Sequence, residues 1–160
     1  MQIRLARSSD ADAIYDIIAP VISAGETYAL PRDMNRESAL RYWMGDDRET
    51  FVAEDEGRIV GTYYLRANQM GGGAHVANCG YMTAHGETGR GIARAMCLHS
   101  LDHARAKGFR AMQFNFVVST NHRAVALWES LGFTTLTRLP LAFNHPREGY
   151  VDALVMFRAL

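Results

Sequence analysis

The sequence predicts a mixed α/β fold, with a central sheet of about seven strands flanked by about four helices. Three observations predict it. Apolar residues switch between a two-residue period and a three-to-four-residue period along the chain, in the order strand, two helices, three strands, helix, strand, helix, two strands. The strands come in runs and do not alternate strictly with helices, which argues against a doubly wound sheet. At 160 residues and 48% hydrophobic, the chain is long enough for one core, so a single domain is expected over 1–160.

The elements follow in order. "QIRLA" alternates as a short strand, and "SSDADAIYDIIAPVI" has helical periodicity, with Ile14, Ile17, Ile18 and Val21 along one face. Ser9 is placed to cap that helix, Asp12 to complete a capping box, and Pro20 to kink or end it. "NRESALRYWMGD" is a second, short helix. "TFVAEDEGRIVGTYYLRAN" gives two strands joined at Glu56-Gly57, and "AHVANCGYMTA" a third. From Arg90 to about Lys107 a helix carries apolar Ile92, Met96, Leu98 and Leu101, with Gly108 as its stop. "AMQFNFVV" is a strand, and "NHRAVALWESLG" a helix opened by Asn121 and closed by Gly132. "FTTLTRLPLAF" and "YVDALVMFRAL" end the series as strands.

The stretch "GETGRGIARAM" puts Gly86, Gly89 and Gly91 within six positions, directly before a helix. Glycine costs about 0.5–1 kcal/mol in an element interior, so such a cluster points to close approach on the main chain. An anion suits a helix N-terminus, where first-turn N–H groups are unpaired and the dipole is positive. A tight surface turn is the plainer alternative. A P-loop is excluded because Ile92 and Ala93, not Lys-Ser/Thr, follow the last glycine. A dinucleotide fingerprint is excluded because position 94 is Arg94. What remains is a loop in which Gly89, Arg90, Gly91, Ile92 and Ala93 offer amides to a phosphate, with Arg90 and Arg94 adding charge.

Composition narrows the function. Seventeen Lys and Arg balance seventeen Asp and Glu, so no basic field argues for nucleic acid or an acidic membrane. No run nears the roughly 18 apolar residues of a membrane span. "MQIRLARSSD" lacks a signal-peptide core, and Cys79 and Cys97 lack metal or redox spacing, so the cytoplasm is the expected location. His99 and His103 lie four apart without a third ligand, which favours a solvated face over a metal site. His122 and His145 are expected at the surface or in loops, and Tyr28, Tyr63, Tyr64, Tyr81 and Tyr150 in packing roles, with a phenol acting as an acid as the alternative. Asn78 and Asn115 interrupt apolar strands; one such residue suggests a satisfied amide, but two raise the case for a site.

The order of elements, with "TGRGIA" and, about thirty residues on, "NHRAVALWESLGF", resembles the GNAT superfamily of acyl-CoA N-acyltransferases. Gly91 and Ala93 fill the last places of the family's phosphate loop, while Thr88 stands where glutamine or arginine is usual. Asn121, Ala124, Leu127, Gly132 and Phe133 match the second motif, with Trp128 in place of its tyrosine. "ETYAL", "HVANCGYM", "MQFNFVVSTN" and "LPLAFNHPREGYVDALVMF" look like a branch that contains the yeast azetidine-2-carboxylate (proline-analogue) N-acetyltransferase.

The resemblance implies that two central strands splay where acetyl-CoA inserts. Thr88, Gly89, Arg90, Gly91, Ile92, Ala93, Arg94, Asn121 and Trp128 would then contact the cofactor. Amides near Met82 and Thr83 would steady the oxygen of the reacting carbonyl, an effect worth about 3–4 kcal/mol per donor. In that branch two asparagines serve the substrate, and Asn78 and Asn115 match them. An amine of pKa near 10.4 is only about 0.04% neutral at pH 7, so a proton must be removed. Glu26 is a candidate base acting through water, with an exposed loop glutamate as the alternative. The expected activity is acetyl transfer to a small amine or amino acid, including a proline analogue, with no metal. Peptide or protein acetylation and a non-catalytic CoA sensor are the competing functions; Thr88 and Trp128 permit the sensor. The apolar C-terminal strands could supply a homodimer edge.

Overall fold

The computed structural model describes residues 1–160. Its elements are β1 (Gln2–Leu5), α1 (Ala11–Ala24), α2 (Arg36–Trp43), β2 (Glu49–Asp55), β3 (Arg58–Ala67), β4 (Val76–Thr83), α3 (Ile92–Ala106), β5 (Ala111–Val118), α4 (His122–Ser130), β6 (Thr134–His145) and β7 (Gly149–Ala159). The strands form one sheet in the order β1-β2-β3-β4-β5-β7-β6. All neighbours are antiparallel except β4 and β5, which run parallel. No helix is long and apolar enough to cross a membrane.

The sheet has a core on each face because side chains alternate along its strands. On β3, Tyr63 joins a cluster with Phe51, Met96, Cys97, Leu101, Phe114 and Trp128. Its neighbour Tyr64 joins the opposite cluster, with Ile14, Ile18, Trp43, Val52 and Met82. Helices α3 and α4 therefore cover one face, and α1 and α2 the other. Cys79 and Cys97 are buried and unpaired, and burial holds the Cys97 thiol up at about 11.

Several local expectations are corrected. Asp10, not Ser9, closes the start of the first helix: its carboxylate accepts from Arg7 N–H at 2.7 Å and its own N–H donates back to the Arg7 carbonyl. Asp12 pairs with Arg36 and takes no part in a capping box. Helix α1 runs through Pro20 to Ala24 and ends at Gly25. Pro20 and Asp16 both face solvent, so water can serve the Asp16 carbonyl that the proline leaves without a donor. Ile22 takes the buried place expected for Val21. On α3, Leu98 is 45% exposed and leaves the apolar stripe expected to hold it, while Cys97 is buried. His145 is buried, where its Nδ1 accepts from the N–H groups of Arg147 and Glu148 and holds the β6–β7 turn. Tyr150 is 68% exposed and does not pack.

His99 and His103 do not form a solvated face. Their rings stack in parallel and both meet the edge of Phe51. His99 Nδ1 lies 2.7 Å from the Tyr63 hydroxyl, and His103 Nε2 lies 3.1 Å from Glu49. Each imidazole is satisfied by a different partner.

Candidate active site

The parallel strands β4 and β5 pair only at Val76–Ala111 and Ala77–Met112, and then part. At the apex, Asn78 Nδ2 donates to the Gln113 carbonyl at 3.0 Å, so a side chain closes the last rung before the opening. Opposite it, β5 slips register against β7 between Phe114 and Val117, which puts Asn115 and Phe116 in a bulge. A bulge bends its strand and re-aims the side chains there. Asn115 donates to Asn68 Oδ1 at 2.6 Å and accepts from Gln113 Nε2 at 2.9 Å.

Parting leaves peptide groups of β4 without a strand partner. At the two ends of the β3–β4 ladder, Asn68 N–H bonds the Val76 carbonyl and Ala84 N–H bonds the Val60 carbonyl. Antiparallel alternation then turns the even-numbered peptides of β4 toward β3. The odd-numbered ones, at Cys79, Tyr81 and Thr83, turn toward the gap. Of the two amides expected at the reacting carbonyl, Thr83 faces the gap and Met82 faces β3, with its side chain buried beneath α1. The Tyr81 carbonyl accepts from the Tyr28 hydroxyl at 3.0 Å. Burial pushes the Tyr28 phenol well above its ordinary range, so it stays protonated.

The gap opens into a cleft of about 300 Å³ that both asparagines line, as do Asn121 and Trp128. Trp128 packs against Tyr81 and Phe114 with centroids 5.1 Å away in each case. Asn121 Oδ1 reaches the Ala124 N–H at 3.4 Å and opens α4. Glu26 does not line the cleft. Its carboxylate pairs with Arg147 at 2.9 Å on the rim, next to lining residues Thr27 and Tyr28.

Beyond Thr83 the chain enters the glycine loop. Gly89 and Gly91 take φ of +85° and +77°, and no side chain caps α3, whose N-cap is Gly91. The first-turn N–H groups at Ile92, Ala93 and Arg94 are thus left for an outside partner. A Cβ on Gly91 would meet nothing within 4 Å, so open space stands before those amides. Arg123 reaches over the loop, its Nη2 3.9 Å from where a Gly89 Cβ would stand. The loop's own Arg90 is held by Glu87 and Asp55, and Arg94 bonds the Ser130 hydroxyl at 3.1 Å. Small residues, free amides and nearby guanidinium groups fit a phosphate ligand.

A model of the acetyltransferase (GNAT) family matches residues 12–133, about three quarters of the chain, including the cleft-lining residues and the glycine loop. The chain belongs to the GNAT family of acetyltransferases. Among its relatives, the N-acetyltransferase aca1 of Schizosaccharomyces pombe is 28% identical over 151 residues, covering 84% of this chain and 72% of that one. A GCN5-related N-acetyltransferase from Kribbella flavida is 44% identical, with a TM-score of 0.95 over 99% of this chain and 97% of that one. The structure of yncA, a putative acetyltransferase from Salmonella typhimurium with its cofactor acetyl-CoA, shares the fold at 23% identity. Its TM-score is 0.85 over 100% of this chain and 94% of that one.

In this GNAT chain, sequence reasoning missed part of the cleft wall. Arg66, Tyr42 and Tyr64 line it. Arg66 directly follows the run "TYYL" within a strand, a signal related to the one that singled out Asn78. The β3–β4 register sets Arg66 directly beside Asn78, a pairing no local spacing reveals. Arg123 had no signal beyond standing two residues inside the second motif.

Proposed function

We propose that this GNAT protein transfers the acetyl group of acetyl-CoA to the amine of a small molecule or amino acid, by direct attack of the amine on the thioester. The observation that carries the reading is the opening between β4 and β5, which leads without interruption into an uncapped glycine loop at the start of α3. Thr88 to Arg94 hold the pyrophosphate through main-chain amides, with Arg123 above them. Gap-facing amides at Cys79, Tyr81 and Thr83 replace the missing strand rungs by binding the pantetheine arm and the carbonyl oxygen. Asn78 and Asn115 serve the acceptor, and Trp128 forms part of the cleft wall against Tyr81 and Phe114.

Acetyl-CoA supplies an activated acyl thioester. The acceptor nitrogen bonds the acetyl carbon, and the carbon–sulfur bond breaks with its electron pair on sulfur. The amine's proton leaves to water in the open cleft. A base role for Glu26 requires its pair with Arg147 to open. The exposed outer strand β6, with Leu136 and Leu141 uncovered, supports a homodimer edge, which light scattering would test.

Release of free thiol from acetyl-CoA across a panel of amines tests the reading. Amine-dependent release is the expected result. Tight CoA binding with no release for any amine would identify a sensor instead.

A further inference from the structure

Of the side chains lining the cleft, only Arg66 carries a formal charge. It stands on β3 beside Asn78, at the closed apex, while the glycine loop lies beyond the far end of β4. About 17 Å of strand separates Asn78 from Thr83, so Arg66 is at the end opposite the phosphate loop. Its guanidinium is poorly satisfied. Nε lies 3.5 Å from Asn78 Oδ1, and Nη1 lies 3.6 Å from Asp47 Oδ2. The nearby carboxylate is already taken, because Arg48 grips Asp47 with Nε at 2.7 Å and Nη2 at 3.1 Å.

Arg48, which holds that carboxylate, stands behind the cleft wall. Its side chain is only 7% exposed, and its Nη1 is buried with no hydrogen-bond partner. The guanidinium lies 4.6 Å over the ring of Tyr64 and 5.0 Å over that of Tyr42, the two aromatic residues that line the same end of the cleft. Two guanidinium groups and one carboxylate leave one positive charge unbalanced behind this wall. Buried or half-buried cations without full hydrogen bonding are costly unless a ligand completes them.

We infer that Arg66 is the specificity residue of the acceptor site, and that the acceptor is an amine that also carries a carboxylate. The inference rests on the acetyl-transfer reading above and narrows it. The carboxylate meets Arg66, whose contacts with Asn78 and Asp47 are long enough to leave its guanidinium free for a ligand. Asn78, fixed by its bond to Gln113, keeps the guanidinium turned toward the cleft. The amine then points down β4 toward its gap-facing amides, which begin at Cys79, next to Asn78. Polyamines and other polycations are disfavoured, because the cleft wall offers them no carboxylate.

The test compares L-amino acids with their own carboxamides and with spermidine, in wild type, Arg66→Gln and Arg66→Lys. The wild type is expected to prefer acid over amide by about 10- to 100-fold in kcat/KM, most of it in KM, from one charge-assisted contact. Arg66→Gln should bring that ratio near one, while Arg66→Lys keeps much of it. Affinity for acetyl-CoA by calorimetry should match wild type in both variants, which also confirms folding. Equal use of acid and amide by wild type, or a ratio unchanged in Arg66→Gln, overturns the inference while leaving acetyl transfer intact. Thiol release with spermidine alone overturns it likewise. Absence of release with every amine overturns the transfer reading itself.

Discussion

A Cβ on Gly80 would stand 2.7 Å from Cε1 of Tyr64 and 3.0 Å from the Tyr28 hydroxyl, so the β4 wall can be this thin only with glycine there. The same closeness lets Tyr28 reach the Tyr81 carbonyl and line the gap. Asn78 closes the apex with one amide hydrogen and faces Arg66 with its oxygen. Replacing it with alanine removes a bond that both spaces the strands and orients the guanidinium. Asn78→Ala is expected to lower turnover by one to two orders of magnitude, from loss of a bond worth about 1.5–3 kcal/mol, with acetyl-CoA affinity little changed. A loss of acetyl-CoA binding with acceptor KM intact would place Asn78 at the donor end. Trp128 stands where the GNAT resemblance expects a tyrosine, and its indole is packed on Tyr81 and Phe114. A thiol of pKa near 8.5 leaves tolerably as thiolate at neutral pH, so no strong acid is required. Trp128→Phe should shift acetyl-CoA affinity more than the chemical step, and Trp128→Tyr should gain at most a few-fold. Single-turnover transfer at saturating acetyl-CoA from pH 6 to 9 checks both. A hundredfold gain in the tyrosine variant would show that an acid is missing.

At the scale of elements, the loop before α3 and the proline in α1 invite direct tests. Gly91→Asp adds a side chain in left-handed backbone and a negative charge that repels a phosphate before the free amides of α3, and is expected to abolish acetyl-CoA binding. Calorimetry on the folded variant reads this; unchanged affinity would remove the loop from the site. Pro20 leaves α1 one bond short on a solvent-facing turn. Pro20→Ala should restore that bond and raise stability by about 1–2 kcal/mol, less than the full helix-interior penalty because proline also restricts the unfolded chain. Equal or lower stability in thermal or urea unfolding would contradict it. These elements also mark what the sequence made legible. The turn at Glu56-Gly57, strand β5 and the Asn121 cap lie where periodicity and cap chemistry put them. The continuation through Pro20 was not legible, since propensity cannot report that the freed carbonyl faces water. Nor was the exposure of Leu98, because tertiary packing decides which apolar residues at the edge of a helix face are covered. The glycine loop and both asparagines stood out as local anomalies. The Arg48–Asp47–Arg66 group did not, because it forms only when β3 takes its register against β4.

At the scale of the whole molecule, charge is neutral in sum but not idle, and acid should undo the fold in two stages. Arg4 holds Asp10 below the usual carboxylate range, Arg48 does so for Asp47, and the terminal ammonium and Arg90 do so for Asp55. Asp152 is lowered by the Leu141 N–H and by Arg138. Each depressed carboxyl contributes stability that is present above the ordinary value near 4 and is lost as pH falls through the folded value. His99 acts earlier. Burial first, and then His103 beside it, push its pKa below the ordinary imidazole value, with Asp102 opposing. The unfolded chain therefore binds a proton there before the folded one does, so this stability is complete above about pH 6.5 and is lost as pH falls below it. The groups around His99 make the loss specific to its ring: the Tyr63 hydroxyl from β3, Phe51 from β2 and His103 from its own helix. His99→Gln keeps an acceptor for Tyr63 and removes the titration. The melting temperature of the wild type is expected to fall between pH 7.5 and 5.5, and that of His99→Gln to stay flatter, while both fall together below about pH 4. An equal slope in the two proteins above pH 5.5 would mean that the first stage does not belong to His99.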